Sequence, residues 1–216
     1  MSKETQTSFF NQCIERGKKN TAGRIACDSV YYQLYQKGFK TIHYMQYSES
    51  VLDRFMEERG VDVLLERDSQ YGHSKKLCFE EKLISAKTKI FHTHFVIEYK
   101  KKSDQGKRHE LGTGWGVNPD ALTDWILYTF PNGDLYMIDF KLLRQYLTSN
   151  WETVWDENTY WESLEFSYGQ RVKGNDCIAI SINKAMQDFV LDGKQIFYKW
   201  ENKYIENYKQ AEENQL

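Results

Sequence analysis

Five short apolar segments, separated by polar or glycine-containing turns, fill the middle of this chain and restrict the folds open to it. They are VDVLLE at 61–66, LCFEEKLI at 77–84, IFHTHFVIEY at 90–99, TDWILYTF at 123–130 and LYMIDF at 135–140. Segments of this length that are rich in β-branched and aromatic residues are typical of strands. The last two are joined through Asn132 and Gly133, a pair that favours the tight turn of a β-hairpin.

Apolar residues at helical spacing lie on both sides of these segments. We predict helices over residues 4–37, 51–58 and 141–147, and from 182 to about 210. The order of helices, mostly antiparallel strands and again helices predicts a mixed α/β (α+β) domain with one central sheet flanked by N- and C-terminal helices. The Trp-rich residues 150–180 indicate no particular element.

The charge balance and the cysteine pattern restrict the function. A formal net charge of −2 provides no global positive field for nucleic acid, although a local basic groove stays compatible with binding. Cys13, Cys27, Cys78 and Cys177 form no CxxC pair, which argues against a zinc knuckle and favours a reducing compartment. The N-terminal sequence MSKETQTSFF lacks the apolar stretch of a signal peptide, and no apolar run reaches the roughly 20 residues that span a bilayer. We therefore predict a cytoplasmic protein without a membrane partner.

Charged residues in the first two strand segments form the most informative pattern. Alternate residues of a strand share a face, so Glu80 and Lys82 are predicted to point one way and Glu81 the other. Asp62 reaches the same patch if its strand pairs beside this one. Two carboxylates and one ammonium group would then meet at one end of a sheet. The alternative is a solvated strand face with an ordinary Glu80–Lys82 pair, which contributes little.

This combination of groups suits hydrolysis assisted by a divalent cation. Mg²⁺ prefers hard oxygen ligands and keeps several waters, so Asp62, Glu80 and the backbone carbonyl of Glu81 are candidate ligands, with Mn²⁺ as a substitute ion. The cation would lower the pKa of a water molecule and neutralise charge that develops on a phosphate. Lys82 is the candidate to orient that water or to stabilise the transition state.

The sequence GVDVLL followed by FEEK resembles the motif of the PD-(D/E)xK nuclease superfamily. In that superfamily an Asp ends one strand and a (D/E)xK triplet lies on the next. Asp62 matches the first acid, and Glu80 and Lys82 match the triplet. The proline that usually precedes the Asp is absent, since Val61 stands in its place.

The resemblance implies a restriction-endonuclease-like fold in a single nuclease-like domain. It covers a core at about residues 24–148 and leaves residues 149–216 as an aromatic-rich C-terminal extension. It also implies a metal-dependent nuclease that hydrolyses DNA phosphodiester bonds, as an endonuclease of the restriction, phage or mobile-element type, with RNA as the alternative substrate. Double-strand cutting needs two active sites, which suggests a homodimer.

Further candidate residues lie outside this motif. Glu98 is a candidate third metal ligand, and it shares a strand face with His92 and His94. The two histidines suit a transition metal, or simply a polar strand face. Asp28 is a candidate accessory acid by the resemblance, or an ordinary polar residue of an amphipathic helix.

A basic segment follows the third strand segment and is suited to follow a phosphate backbone, or to form a solvated loop. Its members are Lys100, Lys101, Lys102, Lys107 and Arg108. The next sequence, LGTGWG, lacks the GK[ST] ending of a phosphate-binding loop and predicts a flexible turn.

The competing interpretation of the whole chain is a non-enzymatic protein on a nuclease-like or another α/β scaffold, because a fold does not determine a function. The net acidity and the aromatic residues at 151–168 suit a protein partner, including a role as an inhibitor. The same aromatic residues would also allow stacking on bases. Metal affinity and DNA cleavage separate the two interpretations.

Overall fold

The structure is a computed structural model that describes residues 22–39, 41–45, 50–67, 75–84, 93–101, 103–167 and 170–201. Within them, two sheets and a short hairpin combine with five helices in a mixed α/β arrangement. The helices are α1 (Ala22–Gln36), α2 (Val51–Glu58), α3 (Phe140–Ser149), α4 (Trp151–Glu157) and α5 (Ile182–Asp188). The strands are β1 (Thr41–Tyr44), β2 (Val63–Arg67), β3 (Lys75–Leu83), β4 (His94–Lys100), β5 (Trp125–Thr129), β6 (Leu135–Asp139), β7 (Thr159–Ser167), β8 (Gln170–Ser181), β9 (Val190–Leu191), β10 (Lys194–Gln195) and β11 (Phe197–Lys199).

A six-stranded mixed sheet in the order β1-β2-β3-β5-β6-β11 lies at the centre of the molecule. Its neighbouring strands are antiparallel except for β3 and β5, which run parallel. A parallel pair needs a long crossover connection, and here the crossover contains β4. Asp124 fixes the register at the start of β5. Its N–H donates to the Cys78 carbonyl at 2.9 Å, and its Oδ2 accepts from the Cys78 N–H at 2.8 Å.

A second sheet, in the order β4-β8-β7, shares a core with the central sheet. Phe95, Ile97 and Tyr99 alternate along β4 and are fully buried in one cluster with side chains of β5 and β11. The ring of Phe95 lies 5.2 Å from that of Tyr128 and 4.7 Å from that of Phe197, between centroids. Each large apolar side chain buried here stabilises the fold by roughly 1.5–3 kcal/mol.

Helix α1 packs on the other face of the central sheet. Tyr31 of α1 packs edge-on against Phe79 of β3 at 5.5 Å, within a cluster that also includes Leu127 of β5. The neighbours of Leu127 on β5, Ile126 and Tyr128, belong instead to the core shared with the second sheet. The central sheet therefore has α1 on one face and the second sheet on the other.

Several predicted elements are confirmed. The hairpin is formed by β5 and β6, and Gly133 in its turn has a φ of +89°. Helix α2 coincides with the predicted helix at 51–58, and α3 contains the one at 141–147. Helix α1 lies within the predicted range 4–37, whose first part falls outside the described residues.

The predicted helix from 182 to about 210 is wrong for residues 189–201, because α5 ends at Asp188. Asp192 and Gly193 have φ values of +50° and +73°, which form the tight turn between β9 and β10. Along β11 Phe197 is buried opposite Ile138, whereas Tyr198 is exposed. The antiparallel pairing of β11 with β6 makes this stretch a strand, and residues beyond 201 lie outside the described part of the chain.

The predicted mixed α/β class with a central mixed sheet is confirmed, and the structure adds a second sheet that the sequence did not predict. The segment at 90–99 does contain a strand. That strand, β4, pairs with β8 in the second sheet. Its partner comes from residues 150–180, where the sequence indicates no element. None of the helices that the structure describes is long and apolar enough to cross a membrane.

Candidate functional site

Asp62 lies between α2 and β2 and is tied to β3 by two hydrogen bonds. Its N–H donates to the Phe79 carbonyl at 2.8 Å, and its Oδ2 accepts from the Glu81 N–H at 2.7 Å. Val63 pairs with Phe79 in the antiparallel register, so Asp62 lies opposite the Glu80 position. The predicted meeting of Asp62 with the charged part of β3 is present in the structure.

Glu80 and Lys82 occupy the same face of β3, and the Lys82 Nζ forms an ion pair with the Glu80 Oε1. Glu80 is only 7% exposed. The pKa of the Glu80 carboxyl is raised, chiefly because the group is buried. The charge and the hydrogen bond of Lys82 lower this pKa, whereas the negative charges of Asp62 and Glu98 raise it. The ionised form of Glu80 is therefore destabilised by burial and by the neighbouring negative charges.

Gly60 allows the Glu80 carboxylate to lie against the backbone. Its φ of +78° belongs to the left-handed region. A Cβ at this position would lie 3.1 Å from the Glu80 Oε2 and 3.0 Å from the Thr123 Oγ1. Thr123 is buried, and its hydroxyl donates to the Gly60 carbonyl. The absence of a side chain at Gly60 thus leaves the space that Glu80 occupies.

Glu81 points to the opposite face, as the alternation predicts. Its buried carboxylate forms an ion pair with Arg24 and accepts a hydrogen bond from the Tyr31 hydroxyl at 2.9 Å, both from α1. Only its backbone faces Asp62. The N–H and C=O of one strand residue point to the same side, so the Glu81 carbonyl, a predicted metal ligand, is also directed to that side.

Trp115 is a site residue that the sequence reasoning missed. The Lys82 Nζ lies 5.1 Å from the centroid of its ring, within the range of a cation–π contact. The predicted turn at LGTGWG is present, because the Val117 N–H donates to the Gly114 carbonyl at 3.0 Å, and the segment lies along β4. The Gly116 N–H donates to the Glu98 carbonyl at 2.9 Å, and the Gly112 N–H donates to the Tyr99 carbonyl at 3.0 Å.

Glu98 is connected to the site electrostatically and to the second sheet by a hydrogen bond. Its Oε2 accepts from the Asn175 Nδ2 at 2.7 Å. Opposite Glu98 in the register is Cys177, the pKa of whose thiol is raised to about 12 by burial and then by the charge of Glu98. The Glu98 charge also raises the pKa of Glu80, so Glu98 belongs to the same electrostatic environment.

Asp62 and Glu80 offer the carboxylate oxygens that a divalent cation could use. In the part of the chain that the structure describes, no group of three or more His, Cys, Asp or Glu side chains is arranged to hold a metal ion. Mg²⁺ often uses only one or two carboxylates and takes its remaining ligands from water and from phosphates. The neighbouring carboxylates of Asp62 and Glu80 meet that smaller requirement, and a cation would relieve the repulsion between them.

Other predicted residues are placed elsewhere. Asp28 is buried in α1, on the face of the central sheet away from Glu80. His94 lies at the start of β4, where its Nδ1 is 2.9 Å from the Thr93 hydroxyl. His92 and Lys102 fall outside the described residues.

The basic segment separates into buried and exposed residues. Lys100 is buried, and its ammonium donates to the Lys107 carbonyl at 2.8 Å, so it stabilises the loop from within. Lys101, Lys107 and Arg108 are exposed. Asp104 organises the same loop by accepting the Lys101 N–H at 2.9 Å. Only the exposed members of the segment are therefore accessible to a phosphate backbone.

No protein-family model matches the sequence, and comparisons with curated proteins and with solved structures find no match.

Proposed function

We propose that the protein is a Mg²⁺-dependent nuclease that hydrolyses phosphodiester bonds in DNA. The observation that supports this most directly is the convergence of Asp62, Glu80 and Lys82 at one end of two paired strands. Glu80 is buried beside other acids at a cost to its ionised form, which is typical of functional carboxylates. A surface ion pair would need neither the burial nor the neighbouring carboxylate.

The arrangement agrees with what the resemblance to the PD-(D/E)xK superfamily implies. Asp62 adjoins one strand, and the Glu80–Lys82 triplet lies on the strand paired with it. A restriction-endonuclease-like fold is part of the same proposal. Its support is the mixed central sheet with α1 packed on one face.

Each residue has a definite role in the proposed reaction. Asp62, Glu80 and the Glu81 carbonyl would hold Mg²⁺, or Mn²⁺ in its place. Glu98, whose charge acts on Glu80, would be a further metal ligand. When bound, the ion supplies charge neutralisation at the phosphate and a nucleophile at neutral pH. Lys82 donates hydrogen bonds that orient the attacking water, and its charge stabilises the negative charge that accumulates in the transition state.

Three exposed basic residues support a nucleic acid as the proposed substrate. Lys101, Lys107 and Arg108 lie in the loop that follows β4, on which Glu98 is also located. Cations on such a loop position a phosphate backbone without reading its sequence. DNA is the proposed substrate, and RNA is the alternative to be compared in the same assay. Cutting of both strands would use two copies of the site, in a homodimer.

Plasmid cleavage tests the proposal. Wild-type protein should nick or linearise DNA with Mg²⁺ or Mn²⁺ and not with EDTA. Asp62→Asn, Glu80→Gln and Lys82→Ala should each lower the rate by roughly 10²–10⁴-fold. The matched control is the cross-strand pair at the other end of the same strands, in which the Nζ of the exposed Lys76 lies 2.7 Å from the Oε1 of the half-buried Glu66.

Glu66→Gln and Lys76→Ala should cleave at the wild-type rate, because this pair lies away from Asp62. The proposal fails if wild-type protein leaves DNA and RNA intact under all metal conditions. It also fails if the site variants and the control variants are equally active.

A non-enzymatic protein-binding module is the second candidate, and helix α2 supports it. Val51, Leu52 and Phe55 on this helix are 85%, 66% and 44% exposed, and the helix has no buried residue. Exposed apolar side chains that lie together often mark an interaction surface. Calorimetry with Mn²⁺ separates the candidates, since a protein that neither binds the ion nor cleaves nucleic acid would favour the binding module.

A further inference from the structure

We infer that Trp115 is a positioning residue that fixes the ammonium group of Lys82 for the reaction proposed above. The inference rests on that proposed function, because it assigns Lys82 a role in catalysis. It starts from one contact, the 5.1 Å approach of the Lys82 Nζ to the centroid of the Trp115 ring. The backbone on both sides of Trp115 holds this indole in place.

The backbone around Trp115 is held tightly against β4. A Cβ on Gly114 would lie 2.5 Å from the Glu98 carbonyl oxygen and 2.6 Å from the Lys100 nitrogen. A Cβ on Gly116 would lie 2.2 Å from the Ile97 Cγ2. Glycine on both sides of Trp115 therefore permits an approach that no other residue allows.

The segment is also fastened at its beginning. The Thr113 N–H and hydroxyl both donate to the Asp104 carboxylate, at 2.6 Å and 2.8 Å. Burial raises the pKa of Asp104, but hydrogen bonds from Thr113 and Lys101 outweigh it and lower the pKa overall. Asp104 is thus kept ionised and able to accept these bonds at neutral pH.

Lys82 needs such support because its side chain is long and 29% exposed. A lysine ammonium on a flexible four-carbon stem loses considerable rotamer entropy when it is fixed. The ion pair with Glu80 provides one restraint, but the proposed function assigns the Glu80 oxygens to a cation. The contact with the Trp115 ring does not involve that carboxylate, so it can hold the ammonium while Glu80 serves as a ligand.

Replacement of Trp115 tests the inference through the separation of kcat from KM. Trp115→Leu should lower kcat by about 5- to 30-fold with KM changed by less than about twofold, and Trp115→Phe should restore most of the loss. Trp125→Leu is the matched control, since this half-buried indole packs on the α1 face of the central sheet, away from Lys82. It should leave both kinetic parameters near their wild-type values.

A second readout does not depend on activity. In protein labelled with 5-fluorotryptophan, the Trp115 resonance, assigned by Trp115→Phe, should move on Lys82→Met. It should not move on Lys76→Met, which removes an ammonium from the same strand away from the indole.

An unchanged resonance would overturn the contact. A moved resonance with a fully active Trp115→Leu would overturn the positioning role. If Lys82→Met moves the resonance but the wild-type protein cleaves no nucleic acid, the contact between Lys82 and Trp115 is supported and the nuclease proposal is refuted.

Discussion

Replacement of Gly60 by alanine tests whether the backbone beneath Glu80 shapes the site. Gly60 has a φ of +78°, and the new Cβ would lie 3.1 Å from the Glu80 Oε2 and 3.0 Å from the Thr123 Oγ1. Both neighbouring side chains are buried, so neither can move freely to make room. The substitution therefore combines a backbone penalty with a displacement of the carboxylate.

Gly193 provides the means to separate these two effects. Its φ is +73°, but a Cβ there would have no atom within 4 Å. An L-residue in the left-handed region costs roughly 1–2 kcal/mol, and each kcal/mol lowers the melting temperature of a protein of this size by roughly 2–4 °C. Gly193→Ala should therefore lower Tm by about 2–8 °C, and Gly60→Ala should lower it further because of crowding at Glu80.

The two variants should differ more in activity than in stability. A displacement of about 1 Å at an active site can cost about 100-fold in rate, so a shift of a few tenths of an ångström at Glu80 should lower the cleavage rate by about tenfold. Gly193→Ala should cleave at the wild-type rate. Thermal unfolding and plasmid cleavage are measured on both proteins. Equal Tm values together with equal cleavage rates would refute the role given to Gly60.

Three further predictions concern charges. The folded-state pKa of Glu80 is raised above its ordinary value of 4.5, so the native state binds this proton more tightly and the free energy of unfolding falls as pH rises from 4.5 through that raised pKa. In EDTA, Glu80→Gln should lack this decline in urea unfolding, and identical pH profiles would contradict the assignment. Arg24→Met removes the arginine partner of the buried Glu81 carboxylate and should lower the free energy of unfolding by about 3–5 kcal/mol in the same assay. A loss below about 1 kcal/mol would show that α1 is not held by this pair. Lys101→Glu and Lys107→Glu should each weaken DNA binding and lower the slope of log K against log salt by about one, as measured by fluorescence anisotropy, whereas unchanged slopes would remove this loop from the interface.

The central part of the site could be predicted because it depends on local alternation. Glu80 and Glu81 are neighbours on a strand, so one reaches the Asp62 side and the other reaches α1. The hairpin of β5 and β6 was similarly available from Asn132 and Gly133. Short-range rules of this kind need no knowledge of the rest of the chain.

The second sheet and Trp115 could not be predicted in this way. The pairing of β4 with β8 joins residues far apart in sequence, such as Glu98 and Cys177, and is stabilised by burial that no local pattern reports. Trp115 reaches Lys82 only because its flanking glycines allow close approach to β4. The spacing of residues along the chain predicts neither the pairing of β4 with β8 nor the approach of Trp115 to Lys82.

The sequence does contain a pattern that argues against a helix over residues 189–201. Phe197, Trp200, Tyr204 and Tyr208 recur at helical spacing, which favoured a helix. The Asp192–Gly193 dipeptide between two short segments is a strong hairpin signal, and it is where the chain turns between β9 and β10. The turn residues Asp192 and Gly193 therefore predict this segment better than its aromatic periodicity does.

The alternation of Glu80 and Glu81 makes β3 intolerant of any change in its own length. Loss of one residue between Lys75 and Phe79, with the pairing to β2 preserved at its start, would exchange the two faces downstream, so that Glu81 takes the place of Glu80 on the Asp62 side and Lys82 takes the place of Glu81 beside Arg24. The buried Arg24 would then face a second cation, and Leu83 would stand where the Lys82 ammonium group lies now. Insertions and deletions in homologous chains are therefore expected before Lys75, and substitutions alone between Lys75 and Leu83.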